Sequence, residues 1–337
     1  MSNISILGAG WGTAFAIMCV NYGHNVSLWS PFKEEIETIK RDGENKKLLP
    51  GVKVPTQINL TNDISIVKDA DIIVFATPSF AIRQTAKLVK EYINPNIIIT
   101  CIAKGLEEDS LKRLSEVLEE ELPSNKIVVL SGPSHAEEVS RGVPTTVVVA
   151  SKDKDAALLV QDTFMNPTFR IYANPDVIGV ELGGALKNCI ALAAGICDGL
   201  KLGDNTKAAL MTRGISEMAR LGVAMGGNSK TFAGLSGIGD LIVTCTSMHS
   251  RNRRAGILIG EGMTAKQAIE AIGMTVEGYR TTHAAYELAK KINIEMPIVN
   301  EIYKVLYEDK KPNQAIKDLM GREKKHENED QWLYQKK

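Results

Sequence analysis

Neither sign of charge predominates in this chain of 337 residues. Lys+Arg and Asp+Glu number 40 each, so no broad field draws it to nucleic acid or to an anionic membrane. No run of 18 consecutive apolar residues occurs, which argues against an integral membrane segment. The N-terminus has no basic stretch ahead of an apolar one and no small-residue cleavage site; it enters an apolar strand within three residues. The five cysteines (Cys19, Cys101, Cys189, Cys197, Cys245) form no Cys-x-x-Cys pair and no Cys/His spacing suited to a metal. An odd number set in apolar segments fits reduced thiols. The expectation is a cytoplasmic globular protein without a metal, long enough for two domains and a sizeable core.

What is present begins at once. Ile4-Ser5-Ile6-Leu7 reads as a strand, Gly8-Ala9-Gly10-Trp11-Gly12 as a glycine turn, and the residues to about Tyr22 as a helix stopped by Gly23. A second strand follows, Val26 to Trp29. A strand running through a glycine turn into a helix N-terminus makes an anion site from free N–H groups and the helix dipole. This is the arrangement of a dinucleotide-binding unit, although G-x-G-x-G is one residue shorter than the usual G-x-G-x-x-G. At the end of the second strand an acid favours NAD and an arginine favours the 2′-phosphate of NADP. Trp29-Ser30-Pro31-Phe32-Lys33 carries no acid at that point. Ser30 and Lys33 suit a phosphate and incline the expectation toward NADP, the alternative being a solvated Lys33 at the start of the next helix.

Further apolar strands at Ile72–Thr77, Ile97–Cys101, Ile127–Leu130, Thr146–Ala150 and Phe169–Tyr172, joined by helical connectors, predict a mostly parallel sheet covered on both faces. Ligands of such sheets bind beyond the strands' carboxyl ends. Those ends carry Thr77-Pro78-Ser79, Ala103-Lys104-Gly105 and Ser131-Gly132-Pro133-Ser134. Ser134-His135-Ala136-Glu137 also has the form of a capping box, which by itself accounts for Ser134. From about Pro175 strand signals fade, and 178–200, 206–226, 254–260, 264–271, 278–291, 297–307 and 312–319 read as helices. The fold class is therefore α/β: a Rossmann-like dinucleotide-binding domain over 1–176 and a largely helical domain over 177–337. The charged tail from Arg322, with Trp332 and Leu333 embedded, is assigned no chemistry.

Chemistry-bearing residues gather in the helical half. At about 100° per residue, Gly183, Gly184, Lys187, Ala191, Ala194 and Asp198 share one side of a helix, and Leu182, Leu186, Ile190 and Ala193 share another. A lysine among such small residues sits in a crevice; the bland alternative is a packed helix pair with Lys187 snorkelling outward. Leu202-Gly203-Asp204-Asn205-Thr206 can cap the next helix. Asp240 follows a glycine-rich loop, Leu235 to Gly239. Ser250-Arg251-Asn252-Arg253-Arg254 opens another helix, and arginine forks suit one small phosphate better than a nucleic acid, since no aromatic residues or wider basic stripe accompany them.

From Ile4 to Gly321 the chain resembles the bacterial-type NAD(P)-dependent glycerol-3-phosphate dehydrogenases. The most specific match runs from Lys187-Asn188 through Ala194-Gly195-Ile196-Cys197-Asp198 and Gly203-Asp204-Asn205-Thr206 to Thr212-Arg213-Gly214. It continues through Gly239-Asp240-Leu241, Thr244-Cys245-Thr246 and Ser250-Arg251-Asn252. Lys104-Gly105-Leu106-Glu107 and Gly132-Pro133-Ser134 match as well. The resemblance implies reversible reduction of dihydroxyacetone phosphate to sn-glycerol 3-phosphate, a phospholipid precursor, with NAD or NADP, and suits a homodimer. It implies that Lys187 is the catalytic lysine and that Lys104, Gly132, Ser134, Asp240, Ser250, Arg251 and Asn252 meet the substrate. Trp11, Lys104, Ala136, Arg251 and Glu277 would meet the cofactor beside Gly8, Gly10 and Gly12. The chain departs from the family at the shortened glycine turn, at Ser30-Pro31 where many members carry a basic residue, and at Thr275 where an aliphatic one is common. These departures bear on cofactor preference. A different two-domain dehydrogenase acting on a hydroxy acid, or a dinucleotide sensor without turnover, are the competing readings.

Overall fold

The computed structural model describes residues 1–324, 326 and 327; Trp332 and Leu333 lie outside them. Strands whose side chains are buried on both faces need cover on both sides, and the first half of the chain supplies it in alternation. Its elements are β1 (Asn3–Leu7), α1 (Trp11–Asn21), β2 (Asn25–Trp29), α2 (Lys33–Asp42), β3 (Asn59–Thr61), β4 (Ile72–Phe75) and α3 (Ile82–Val89). There follow β5 (Ile98–Cys101), α4 (Leu114–Glu121), β6 (Ile127–Ser131), α5 (Ala136–Val139), β7 (Thr145–Ala150), α6 (Lys154–Phe164) and β8 (Phe169–Asn174). Among the described residues they form one eight-stranded sheet in the order β3-β2-β1-β4-β5-β6-β7-β8. All neighbours are parallel except β6 and β7. The three-residue β3, short of any apolar alternation, is the strand that sequence periodicity does not reveal. Phe15, Phe164 and Phe169 fill the core on one face, and Phe75, Val89 and Val117 that on the other.

The second half is helical: α7 (Val177–Gly199), α8 (Asp204–Ala224), α9 (Ser229–Phe232), α10 (Asp240–Thr246), α11 (Arg251–Gly260), α12 (Ala265–Ile272), α13 (Glu277–Lys291), α14 (Pro297–Tyr307) and α15 (Pro312–Met320). A π-helical turn, Leu235–Gly239, precedes α10. Asp204 does not cap α8; it stands in the first turn, and Gly203, at φ +82°, is the N-cap without a side-chain bond.

Helix α7 is the axis of this half. It is long and apolar enough to cross a bilayer, with a mean hydropathy of 1.5, yet 94% of that window is buried inside the protein. Its small residues explain how it is enclosed. A Cβ on Gly195 would fall 2.0 Å from Arg253 O, and one on Gly256 of α11 would fall 2.1 Å from Leu192 O. The two helices thus meet backbone to backbone through Gly195/Gly199 and Gly256/Gly260, a spacing of four that repeats on one helical face. Asp198, placed by helical spacing on the side of Lys187, lies about three turns along the axis from it, roughly 16 Å. There it pairs with Arg253 Nε at 2.7 Å and Lys207 Nζ at 2.5 Å.

The two halves are tied at several points. Glu181 of α7 accepts from Arg113 Nη1 at 2.6 Å and from Ser115 N at 2.8 Å, both at the start of α4. Arg280 of α13 reaches Glu108 at 2.8 Å.

Candidate active site

The site is centred on Asp240. In the π-helical turn before it, a Cβ on Gly237 would lie 2.1 Å from Phe232 O, so only glycine allows this tight path. The turn delivers Asp240 to the interior, where it is 1% exposed. Its two carboxylate oxygens then receive two different lysines. Lys187 Nζ, rising from the middle of α7, donates to Oδ1 at 2.8 Å and to Thr244 Oγ1 at 2.7 Å. Lys104 Nζ, beyond the carboxyl end of β5, donates to Oδ2 at 2.8 Å and to Gly132 O at 2.6 Å.

Lys187 is 6% exposed and points into the protein, so the snorkelling alternative does not hold. Its glycine neighbours show why: a Cβ on Gly183 would meet Ser236 O at 2.6 Å, and one on Gly184 would meet Ser131 Oγ at 2.5 Å. The small face lets the loop that carries Asp240 close over the lysine. Burial pushes the Lys187 ammonium down to about 8, with Asp240 opposing and Lys104 assisting that shift. Burial pushes the Asp240 carboxyl up, but the two ammonium groups outweigh it and hold the group below its ordinary value. Nearby His135 is pushed down to about 4 by burial and by Lys187.

Ser134 is not a helix cap. The one-turn α5 starts after His135 without any side-chain cap. Gly132, at φ +135°, bends the chain so that the Ser134 hydroxyl donates to Gly132 O at 2.9 Å and accepts from Lys104 Nζ at 3.2 Å. Its carbonyl accepts from Trp11 Nε1 at 2.6 Å, which joins the glycine turn to the lysine cluster. Ala136 opens α5 beside Trp11, both packed on the same core.

A second chain of bonds extends the site across α11 and α13. Asn188 donates to Lys104 O at 3.2 Å, Asn252 donates to Asn188 Oδ1 at 2.9 Å, and Gly278 N donates to Asn252 Oδ1 at 2.8 Å. Asn252 is thus engaged in joining three helices. Ser250 is the N-cap of α11, accepting from Arg253 N at 3.2 Å. Arg251, next to it, makes no guanidinium hydrogen bond or ion pair among the described residues. Burial lowers its pKa, and Glu277 and Glu137 oppose the shift. Glu277, at the start of α13, accepts from Ser79 N at 3.0 Å and from Ser79 Oγ at 2.6 Å. Sequence reasoning assigns no role to Thr244, Asn188 or Ser79. Only Thr244 has a spacing signal, four residues beyond Asp240 on one helix face.

The shortened glycine turn has the geometric features of the longer one. Gly8, at φ +112°, would place a Cβ 2.7 Å from Thr77 N. Gly12 would place one 2.9 Å from Ile6 and 3.0 Å from Ala76, the close helix–strand approach that a third glycine serves. Gly10 is open, its nearest neighbour 4.0 Å away, and precedes the free N–H groups of α1. Thr77 Oγ1, beside Gly8, is buried without a partner among the described residues. Together they leave a cradle that fits the pyrophosphate of a dinucleotide.

A parallel-dominated sheet with this cradle, capped by a helical half that turns a buried lysine–aspartate pair toward the sheet's carboxyl ends, defines a two-domain, dinucleotide-dependent dehydrogenase. The chain belongs to the NAD-dependent glycerol-3-phosphate dehydrogenase family, matching that family's N-terminal region over residues 3–157 and its C-terminal region over residues 176–317. It is 54% identical to glycerol-3-phosphate dehydrogenase [NAD(P)+] of Desulfitobacterium hafniense, over 98% of this chain and 94% of that one. It is 56% identical to the same enzyme of Moorella thermoacetica, over 96% and 97% of the two chains. The crystal structure of glycerol-3-phosphate dehydrogenase from Coxiella burnetii superposes with a TM-score of 0.92 at 40% identity, over 95% of this chain and 99% of that one.

Proposed function

We propose that the Lys187–Asp240–Lys104 cluster is the active centre at which this chain interconverts dihydroxyacetone phosphate and sn-glycerol 3-phosphate with NAD(P)H, supplying glycerol 3-phosphate for phospholipid synthesis. The observation that carries the reading is a buried lysine whose ammonium is oriented by a carboxylate and depressed in pKa, the same carboxylate holding Lys104 beyond the carboxyl end of β5. Gly8, Gly10 and Gly12 would hold the pyrophosphate, with Trp11, Lys104, Ala136, Arg251 and Glu277 along the same cleft. When bound, the nicotinamide supplies or accepts the hydride.

The chain's own residues handle the proton and the charge. Hydride arrival at the substrate's carbonyl carbon places negative charge on its oxygen. The Lys187 ammonium stabilises that charge and passes one proton from Nζ to the oxygen. In the reverse direction neutral Lys187 takes the hydroxyl proton back, which a pKa near 8 permits at physiological pH where that of a free lysine does not. Asp240 fixes the direction of the Lys187 N–H bonds, and Lys104 neutralises its second oxygen. Arg251, a forked donor without a hydrogen-bond or ion-pair partner among the described residues at the opening of α11, suits the substrate phosphate. Ser134, Gly132, Ser250 and Asn252 line the remainder of the substrate site.

We also place the enzyme in the cytoplasm, in keeping with five buried, unpaired cysteines. A homodimer suits the exposed Ile238, Ile242 and Met248; light scattering of the purified protein tests it. We likewise divide the two domains at residue 176, a position between β8 and α7. The function is tested by initial-rate reduction of dihydroxyacetone phosphate with NADH and NADPH, using Lys187→Ala as the control. Turnover by the parent chain and none by the variant is expected. A folded parent chain that binds dinucleotide yet reduces nothing would overturn it.

A further inference from the structure

We infer that this chain selects NADH over NADPH, and that Glu35 is the residue that does so. The inference rests on the dinucleotide reading of the glycine cradle. In a βαβ unit the group at the carboxyl end of the second strand faces the adenosine ribose. Here β2 pairs with β1 through Leu7 and Trp29, and Gly8 N donates to Trp29 O at 2.8 Å. Ser30 therefore lies beside the glycine turn, at the position that reads the ribose.

Ser30 is 1% exposed and its hydroxyl is already committed. It donates to Glu35 Oε2 and accepts from Phe32 N at 3.3 Å. An acid that the linear sequence places five residues too late is folded back to the strand end by the first turn of α2. Glu34 shares that turn. The remaining neighbours offer a phosphate nothing: Pro31 has no donor and Phe32 projects an apolar ring, 69% exposed. The Lys33 side chain is 72% exposed and pairs along its own helix with Glu37 at 3.6 Å. Arg41 and Lys46 both pair with Asp42 at the far end of α2.

A ribose 2′-hydroxyl can donate to the Glu35 carboxylate, whereas a 2′-phosphate there meets like charge while Lys33, Arg41 and Lys46 are each paired with another carboxylate. Ser30 holds the carboxylate in one orientation, so the discrimination is built in before ligand arrives. Ser30 and Lys33, which in sequence suit a phosphate, are in space a carboxylate's anchor and a solvated lysine.

Calorimetric titration of the full-length protein with NADH and with NADPH, without substrate, separates this inference from the reading of the reaction. NADH is expected to bind at least about tenfold more tightly. Glu35→Gln should shrink that ratio severalfold, chiefly by improving NADPH, and Lys33→Ala should leave it unchanged. NADPH binding as tightly as NADH, a Glu35→Gln ratio equal to the parent's, or a loss of NADPH affinity alone in Lys33→Ala would each overturn the inference while leaving the dehydrogenase reading intact. Failure of the parent protein to bind either dinucleotide would instead remove the reading on which the inference rests.

Discussion

Lys187 and Asp240, 53 residues apart in sequence, meet at 2.8 Å inside the protein, and each needs the other to be there. A buried ammonium without a counter-charge is costly, and so is a buried carboxylate. Asp240→Asn leaves Lys187 and Lys104 facing each other with only neutral partners. The expected outcome is a fall in kcat of about 10²–10⁴-fold, from loss of proton-donor orientation. It should also destabilise the protein by about 3–5 kcal/mol. Steady-state kinetics and urea denaturation of the same variant check both numbers.

Arg251 is the proposed holder of the substrate phosphate. Arg251→Ala should raise KM for dihydroxyacetone phosphate by at least about tenfold, the scale of one lost charge-assisted contact. At saturating dinucleotide, which Arg251 also lies near in this reading, it should change the slow turnover of unphosphorylated dihydroxyacetone little. Parallel KM measurements on the two ketones decide it, and equal losses on both would place the phosphate elsewhere.

The contact of α7 with α11 permits no side chain where a Cβ on Gly195 or Gly256 would fall 2.0 or 2.1 Å from a carbonyl oxygen. Gly256→Ala should separate the helices and cost about 3 kcal/mol in denaturant unfolding. Because Lys187 and Arg251 ride on these two helices, activity should fall further than the lost stability accounts for.

Glu217 accepts from Ile298 N at 2.9 Å at the start of α14. Burial pushes its pKa from 4.5 up to about 7, against the pull of the N–H groups of Ile298 and Val299. The native state therefore holds this proton more tightly than the unfolded chain. Its contribution is complete below pH 4.5 and disappears as pH rises through 7. It amounts to about 3 kcal/mol at most. Stability of Glu217→Gln should be flatter across that window than that of the parent chain, as read by denaturation midpoints at pH 5 and pH 8.

Much of this architecture is legible in residue order, and the exceptions have physical causes. Apolar strands and the Gly8–Gly12 turn announce the sheet, because buried strands and tight turns restrict composition locally. Helical spacing correctly isolates Lys187 as a lysine on a small-residue face. Spacing puts Asp198 on the Lys187 side of α7 but is silent on distance along the axis, where the two lie about three turns apart. It errs with Ser134, because a capping pattern competes with a tertiary partner, and Lys104 wins. Glu35 is invisible at the ribose position until α2 folds it back. Asn188, Asn252 and Ser79 join elements far apart in sequence, and no local rule reports such bonds.

The central claim is that Lys187 carries the proton, with a pKa lowered by burial. It is tested most directly by the pH dependence of kcat for glycerol 3-phosphate oxidation from about pH 6 to 10.5, a range that spans the shifted and ordinary lysine values. Oxidation needs the neutral amine, so the rate should climb through a limb near pH 8 and level off above it, while reduction falls through the same limb. A rate that shows no limb below about pH 9.5, where a free lysine begins to lose its proton, would contradict the claim.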